Sequence, residues 1–166
     1  MHSNRLALAA LAIPTLALAG CNPFRSPFKQ EPVTEVSRDA NQNTRWRGSM
    51  STPAGLAGAV QINGTAAMAP DGNKEKTRVT LSVSNATPGG VHPWQLHRGQ
   101  CGADEGLVGP SDSYKSLKIN DEGRASGSVT IPVEMPTSGS YFVSFGASAA
   151  NPETIVACGN LAAPTQ

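Results

Sequence analysis

From Thr77 to Ser84 the chain reads TRVTLSVS, with Val79, Leu81 and Val83 on one side and Arg78, Thr80, Ser82 and Ser84 on the other. A period of two sends successive side chains to opposite faces of an extended strand, so this stretch predicts a strand with one face in a core and one in water. Ala59 to Asn63 (AVQIN) and Ser128 to Ile131 (SVTI) alternate in the same way, and Tyr141 to Phe145 is a short aromatic-rich run. Turn-forming groups separate them: Pro70-Asp71-Gly72-Asn73, Thr87-Pro88-Gly89-Gly90, Asn120-Asp121-Glu122-Gly123 and Thr137-Ser138-Gly139. No window sustains a helical period free of glycine and proline. Short alternating strands at near-regular spacing predict an all-β sandwich or barrel.

The beginning of the chain has a different character. Arg5 precedes an apolar run from Leu6 to Leu18, and small residues lead up to Cys21. A run this short, with a basic start and small residues at its end, reads as an export signal rather than a membrane-spanning helix, which needs about 20 apolar residues. Leu18-Ala19-Gly20-Cys21 resembles the bacterial lipobox, which implies cleavage after residue 20 and acylation of Cys21. The alternative is ordinary cleavage near Ala19 with a free thiol left over. Two or more acyl chains anchor firmly, since each buried methylene contributes about 0.8 kcal/mol. Asn22 is not the aspartate of the inner-membrane retention pattern, so the expected address is the outer membrane, on its periplasmic face or at the cell surface. The expected organisation is a signal peptide over 1–20, a lipid-anchored tether over 21–44 and a β-domain over 45–166. The tether is polar, proline-punctuated and aperiodic.

With Cys21 lipidated, Cys101 and Cys158 remain. In an oxidising envelope compartment two cysteines this far apart, without ligand spacing, read as a disulfide rather than a metal or catalytic pair. Loss of Arg5 with the leader takes the basic residues from 13 to 12, against 12 acidic ones. A formally neutral chain without a clustered basic face is not expected to bind nucleic acid.

The histidines that remain after the leader, His92 and His97, lie in GGVHPWQLHRGQC, residues 89–101. On a strand His92, Trp94 and Leu96 share one face, a core face with His92 as a hydrogen-bonded imidazole. Gln95 and His97 share the other, about 7 Å apart along the strand, a spacing that suits two ligands of one metal ion. The succession of a glycine-rich turn, His92, Trp94, Gln95, Leu96, His97, Gly99, Cys101 and Gly102 resembles the copper/zinc superoxide dismutase motif G-x-H-G-[FW]-H-V-H and the disulfide cysteine after it. TRVTLSVSNATPGGVH before it, SLKINDEGRASGSVTI after it and the closing IVACGNL are similar to that family's further segments, so the likeness runs from about Leu56 to Leu161. It implies an eight-stranded Greek-key β-barrel and again a Cys101–Cys158 bond.

Carried over residue by residue, the family's metal site is depleted. Gln95 stands where a copper histidine belongs and His97 where its partner belongs. A further copper histidine maps at or near Phe145, the zinc aspartate near Ser116, and the active-site arginine onto Ile155. The segment GQCGADEGLVGPSDS is short and holds no histidine. A glutamine amide is a neutral, hard ligand poorly matched to Cu(I), and the residue that would draw in the anion is apolar. Arg98 follows His97, but alternation aims it at the opposite face. Met50, Met68 and Met135 are too scattered for a methionine site and read as core or edge fillers. Asp104 and Glu105 read as a solvated loop tip. No G-x-S-x-G elbow supports a hydrolase.

The expectation is therefore an envelope lipoprotein whose superoxide dismutase-like barrel lacks dismutase activity and serves as a binding or structural module, with no zinc and at most a weak copper site at His97 and Gln95. The alternatives are a divergent copper-dependent superoxide dismutase and a copper storage or delivery protein. The membrane is the expected partner through the lipid; no protein or small-molecule partner can be read from the residues.

Overall fold

The computed structural model describes residues 44–59, 61–72 and 75–164. The expected signal peptide, the expected lipid attachment at Cys21 and the expected tether up to residue 43 lie outside the described residues. Among the described residues, helix is confined to short 3-10 turns such as Ala54–Leu56 and Ser111–Ser113. No described helix is long and apolar enough to cross a membrane.

The fold is all-β. Ten strands follow in chain order: β1 (Trp46–Ser51), β2 (Asn63–Asp71), β3 (Lys76–Ser84), β4 (Val91–His92), β5 (Trp94–Gln100), β6 (Ala103–Leu107), β7 (Leu117–Lys118), β8 (Ala125–Ile131), β9 (Tyr141–Ser148) and β10 (Asn151–Leu161). Eight of them form one antiparallel sheet in the order β6-β5-β9-β10-β1-β2-β3-β8, curled into a half-barrel, while β4 and β7 pair separately. The neighbours β5–β9 and β3–β8 are joined by crossovers, as in Greek-key folds and unlike a simple meander. The last strand lies between β9 and β1, so both ends of the domain meet inside the sheet.

The alternation in β3 sets the pattern for the core. Thr77, Val79, Leu81 and Val83 are buried, and Arg78 and Ser82 between them are exposed. Thr77, 1 % exposed, keeps its hydroxyl satisfied by donating to Val133 O at 2.8 Å. Trp94 and Leu96 of β5, Val143 and Phe145 of β9, Met68 of β2 and Ile131 of β8 join the same cluster. A side chain of this size contributes about 1.5–3 kcal/mol when fully buried. Met50 and Met68 are core residues, and Met135 packs against the core's edge.

The strand expected at Ala59 to Asn63 is not where the alternation put it. Turns follow Pro53 up to Ala59, and β2 begins only at Asn63. Its sequence, NGTAAMAPD, is poor in the branched and aromatic residues that mark strands. Close approach explains the glycine: a side chain on Gly64 would collide with the carbonyl of Ser82 on β3. Asp104 and Glu105 also depart from expectation. They are not a loop tip but part of β6, the edge strand paired with β5.

Candidate functional site

Strand β5 carries the residues that the sequence singles out, and its parity is clear. Trp94 and Leu96 are buried on the core face, while Gln95 and His97 are half-buried on the face away from the core. Pro93 separates β5 from His92, whose Nδ1 lies 3.0 Å from Gly146 O and whose ring stacks on Phe145 at 4.8 Å. His92 is thus a hydrogen-bonded, packed imidazole.

The ladder with β9 fixes what faces His97. Gln95 pairs with Ser144, His97 with Phe142, and Trp94 with Phe145. Directly opposed residues share a face, so Phe145, the expected copper position, belongs with Trp94 in the core and is fully buried. The residue on the face of Gln95 and His97 is Ser144, one position earlier. A one-residue shift changes faces, so Ser144 and not Phe145 stands on the side of Gln95 and His97.

His97 is enclosed. Ser144 Oγ lies 3.1 Å from Nε2, and Phe142 stacks against the ring at 5.0 Å. Asp104 Oδ2 lies 3.0 Å from Nδ1, but off the line a hydrogen bond requires, so that contact is electrostatic. Asp104 is itself fixed by accepting the Gly106 N–H at its other oxygen, 2.7 Å away. The carboxylate only accepts, so it suits a proton on Nδ1, while Ser144 Oγ donates to Gln95 O and meets Nε2 in a contact whose direction follows the tautomer. Ser144 is 7 % exposed and also lies 3.4 Å from Gln95 O.

Asp104, His97 and Ser144 have the connectivity of a catalytic triad, without the rest of its machinery. Ser144 sits in a strand paired on both sides, with β5 and β10. The ladders occupy the N–H groups that an oxyanion hole would need, and the nucleophile is nearly closed to solvent. The cluster is a structural hydrogen-bond and stacking unit.

The disulfide holds this unit in place. At Gly99 the β5–β6 hairpin is bulged, with φ +91, and any side chain there would strike Ala103 O. The bulge carries Cys101 toward β10, where it bonds Cys158 with Cα atoms 6.0 Å apart. Cys101 N donates to Asn160 Oδ1 at 2.8 Å beside it.

The remaining mapped positions are dispersed. Ser116 is exposed, Ile155 is half-buried on β10, and Arg98 is exposed beyond the end of the core face. Among the described residues no group of three or more His, Cys, Asp or Glu side chains is arranged to hold a metal ion. The region that would correspond to a zinc loop is instead packed: Tyr114 donates to Val108 O at 2.6 Å, and burial pushes its phenol up to about 12. Trp94 Nε1 donates to Lys115 O at 2.9 Å. Sequence reasoning missed Ser144 and Asp104 as the partners of His97. Parity along β9 could have found the first, but Asp104 depends on the bulge. No family model matches the chain, and no curated protein matches it.

Proposed function

We propose that this chain is an envelope lipoprotein whose β-domain is a binding module, on a superoxide dismutase-like barrel that does not carry out redox turnover. The observation that carries the reading is the state of His97. Its Nε2 faces a serine hydroxyl, its Nδ1 faces Asp104, and its strand neighbour is Gln95. Copper cycling needs several imidazoles able to hold both oxidation states, and these residues do not fit that demand. The lipobox-like Leu18-Ala19-Gly20-Cys21 supports a lipid anchor at Cys21. Asn22 supports the outer membrane, with the domain on its periplasmic face or at the cell surface.

The test uses the full chain expressed with its leader and disulfide. After incubation with copper and zinc and then dialysis, metal content and superoxide consumption are measured on one sample. The expected result is no fast turnover and no stoichiometric copper. Near-stoichiometric copper with fast turnover would overturn the reading, and copper held without turnover but lost in His97→Ala would replace it with storage or delivery. Radiolabelled palmitate incorporated by the wild type and not by Cys21→Ala tests the anchor.

A further inference from the structure

A groove of about 760 Å³ opens beside the disulfide. Pro53 and Ala54 of the turn after β1 line it, as do Ile155 and Asn160 of β10 and both Cys101 and Cys158. Its size falls within the roughly 300–1,000 Å³ usual for small-molecule sites, room enough for a short peptide. Both cysteines are half-buried, so the bond lies at the wall of the groove and not in the core. A disulfide that a thiolate can reach is open to exchange, in which the thiolate attacks one sulfur and the other leaves.

The two cysteines differ in their surroundings. Cys158 sits within β10 between two strands, opposite Ser144 of β9 and Ser51 of β1. A side chain on its neighbour Gly159 would strike Ser49 O, so β10 and β1 are closely pressed there. Cys101 stands in the turn between β5 and β6. Its neighbour Gly102, at φ +86, faces open space, where an added Cβ would meet no described atom within 4 Å. A group bonded to Cys101 therefore has room, whereas the same group on Cys158 would press on a strand paired on both sides. Access is one of the factors that decide which sulfur is attacked.

We infer that Cys101 is a thiolation site for a small peptide thiol, which enters the groove and opens the Cys101–Cys158 bond in the folded protein. The sulfur of the incoming thiolate bonds to Cys101 Sγ as the Cys101–Cys158 bond breaks. The electron pair of the broken bond leaves on Cys158 as a thiolate, which takes from water the proton that the incoming thiol gave up. The incoming thiol is the reductant, and the step needs no other. Exchange releases the β5–β6 hairpin, which carries Asp104 beside His97, from its covalent link to β10. The inference goes beyond the reading of the domain as a binding module and does not depend on it.

Reduced glutathione is the probe. The oxidised full chain is incubated with it at mildly alkaline pH, quenched with acid at intervals, capped with a maleimide and mapped by peptide mass spectrometry. Glutathione on Cys101 with maleimide on Cys158 should exceed the reverse pattern at least tenfold. The rate should rise in proportion to glutathione and stay unchanged in urea below the unfolding transition. Ala54→Trp fills the groove from an exposed position and should slow exchange at least tenfold with an unchanged melting temperature. Ser128→Trp, exposed on β8 and outside the groove, should exchange as the wild type does. Adducts mainly on Cys158, exchange that appears only as urea unfolds the domain, or an unaffected Ala54→Trp would each overturn the inference.

Discussion

Ser144 Oγ lies 3.1 Å from His97 Nε2 across the β5–β9 ladder, on the face that Gln95 and His97 share. A residue of the right parity is present; its chemistry is that of a hydroxyl. The serine hydroxyl also stands against the Nε2 that His97 would offer to a metal.

Gln95→His alone should therefore build a poor copper site, because the new imidazole joins a His97 whose Nε2 already meets the Ser144 hydroxyl. Gln95→His combined with Ser144→Ala should bind Cu(II) about tenfold or more tightly than Gln95→His alone, the scale on which neighbours of a ligand change metal affinity. Competition against a chromogenic chelator measures it. Equal affinity in the two variants would show that Ser144 does not obstruct Nε2.

Phe145 and Ser144 should respond differently to truncation despite being adjacent. Phe145→Ala empties a fully buried core position and should cost about 3–5 kcal/mol. Ser144→Ala removes a hydroxyl that meets His97 Nε2 and Gln95 O and should cost about 1–2 kcal/mol. Urea unfolding of both variants decides. Similar losses would mean that the parity assigned to β9 is wrong.

The contrast shows how far the sequence could be read. The alternation of β3 carried both strand and face, because Val79, Leu81 and Val83 leave no ambiguity about which side is apolar. β9 offered no such pattern: Phe142, Val143, Ser144, Phe145 and Gly146 are all buried, with the His97 ring stacked on Phe142 on the face away from the core. A strand buried on both sides loses its period, and with it the means of telling Ser144 from Phe145. β2 was hidden by its alanines, which carry little strand signal, and by Gly64, which answers to the close approach of β3. The Cys101–Cys158 bond was legible because it needed only a count of cysteines and a compartment. The partnership of Asp104 with His97 was not, because it depends on the Gly99 bulge and on the Gly106 N–H that orients the carboxylate.

Reduction of Cys101–Cys158 should destabilise the domain by about 4 kcal/mol, from the loop entropy of a 57-residue separation. The double variant Cys101→Ser/Cys158→Ser, unfolded in urea beside the oxidised wild type, gives the value. A loss well under about 1 kcal/mol would mean that the strand ladders around β10 already hold the loop without the bond.

Tyr114 gives the domain an alkaline dependence with a definite sign. Its phenol ionises at about 12 when folded against an ordinary 10.0, because burial disfavours the anion. A raised folded value contributes stability in full below pH 10, and the contribution is lost as pH rises through 12. Tyr114→Phe, which cannot ionise, should therefore lose less stability than the wild type between pH 10 and 12. Parallel curves for the two proteins across that range would exclude Tyr114 as the source.

The position of β10 has a consequence for how the molecule comes into being. The last strand to be synthesised pairs with β9 on one side and with β1, the first, on the other. Until it arrives, the sheet is two separate pieces and the disulfide lacks its second cysteine. Contacts between such distant segments form slowly, because the loop must close before they reward it. Synthesis of β10 is thus the event that permits closure, and until it emerges Cys101 waits in an open hairpin for the strand that carries its partner.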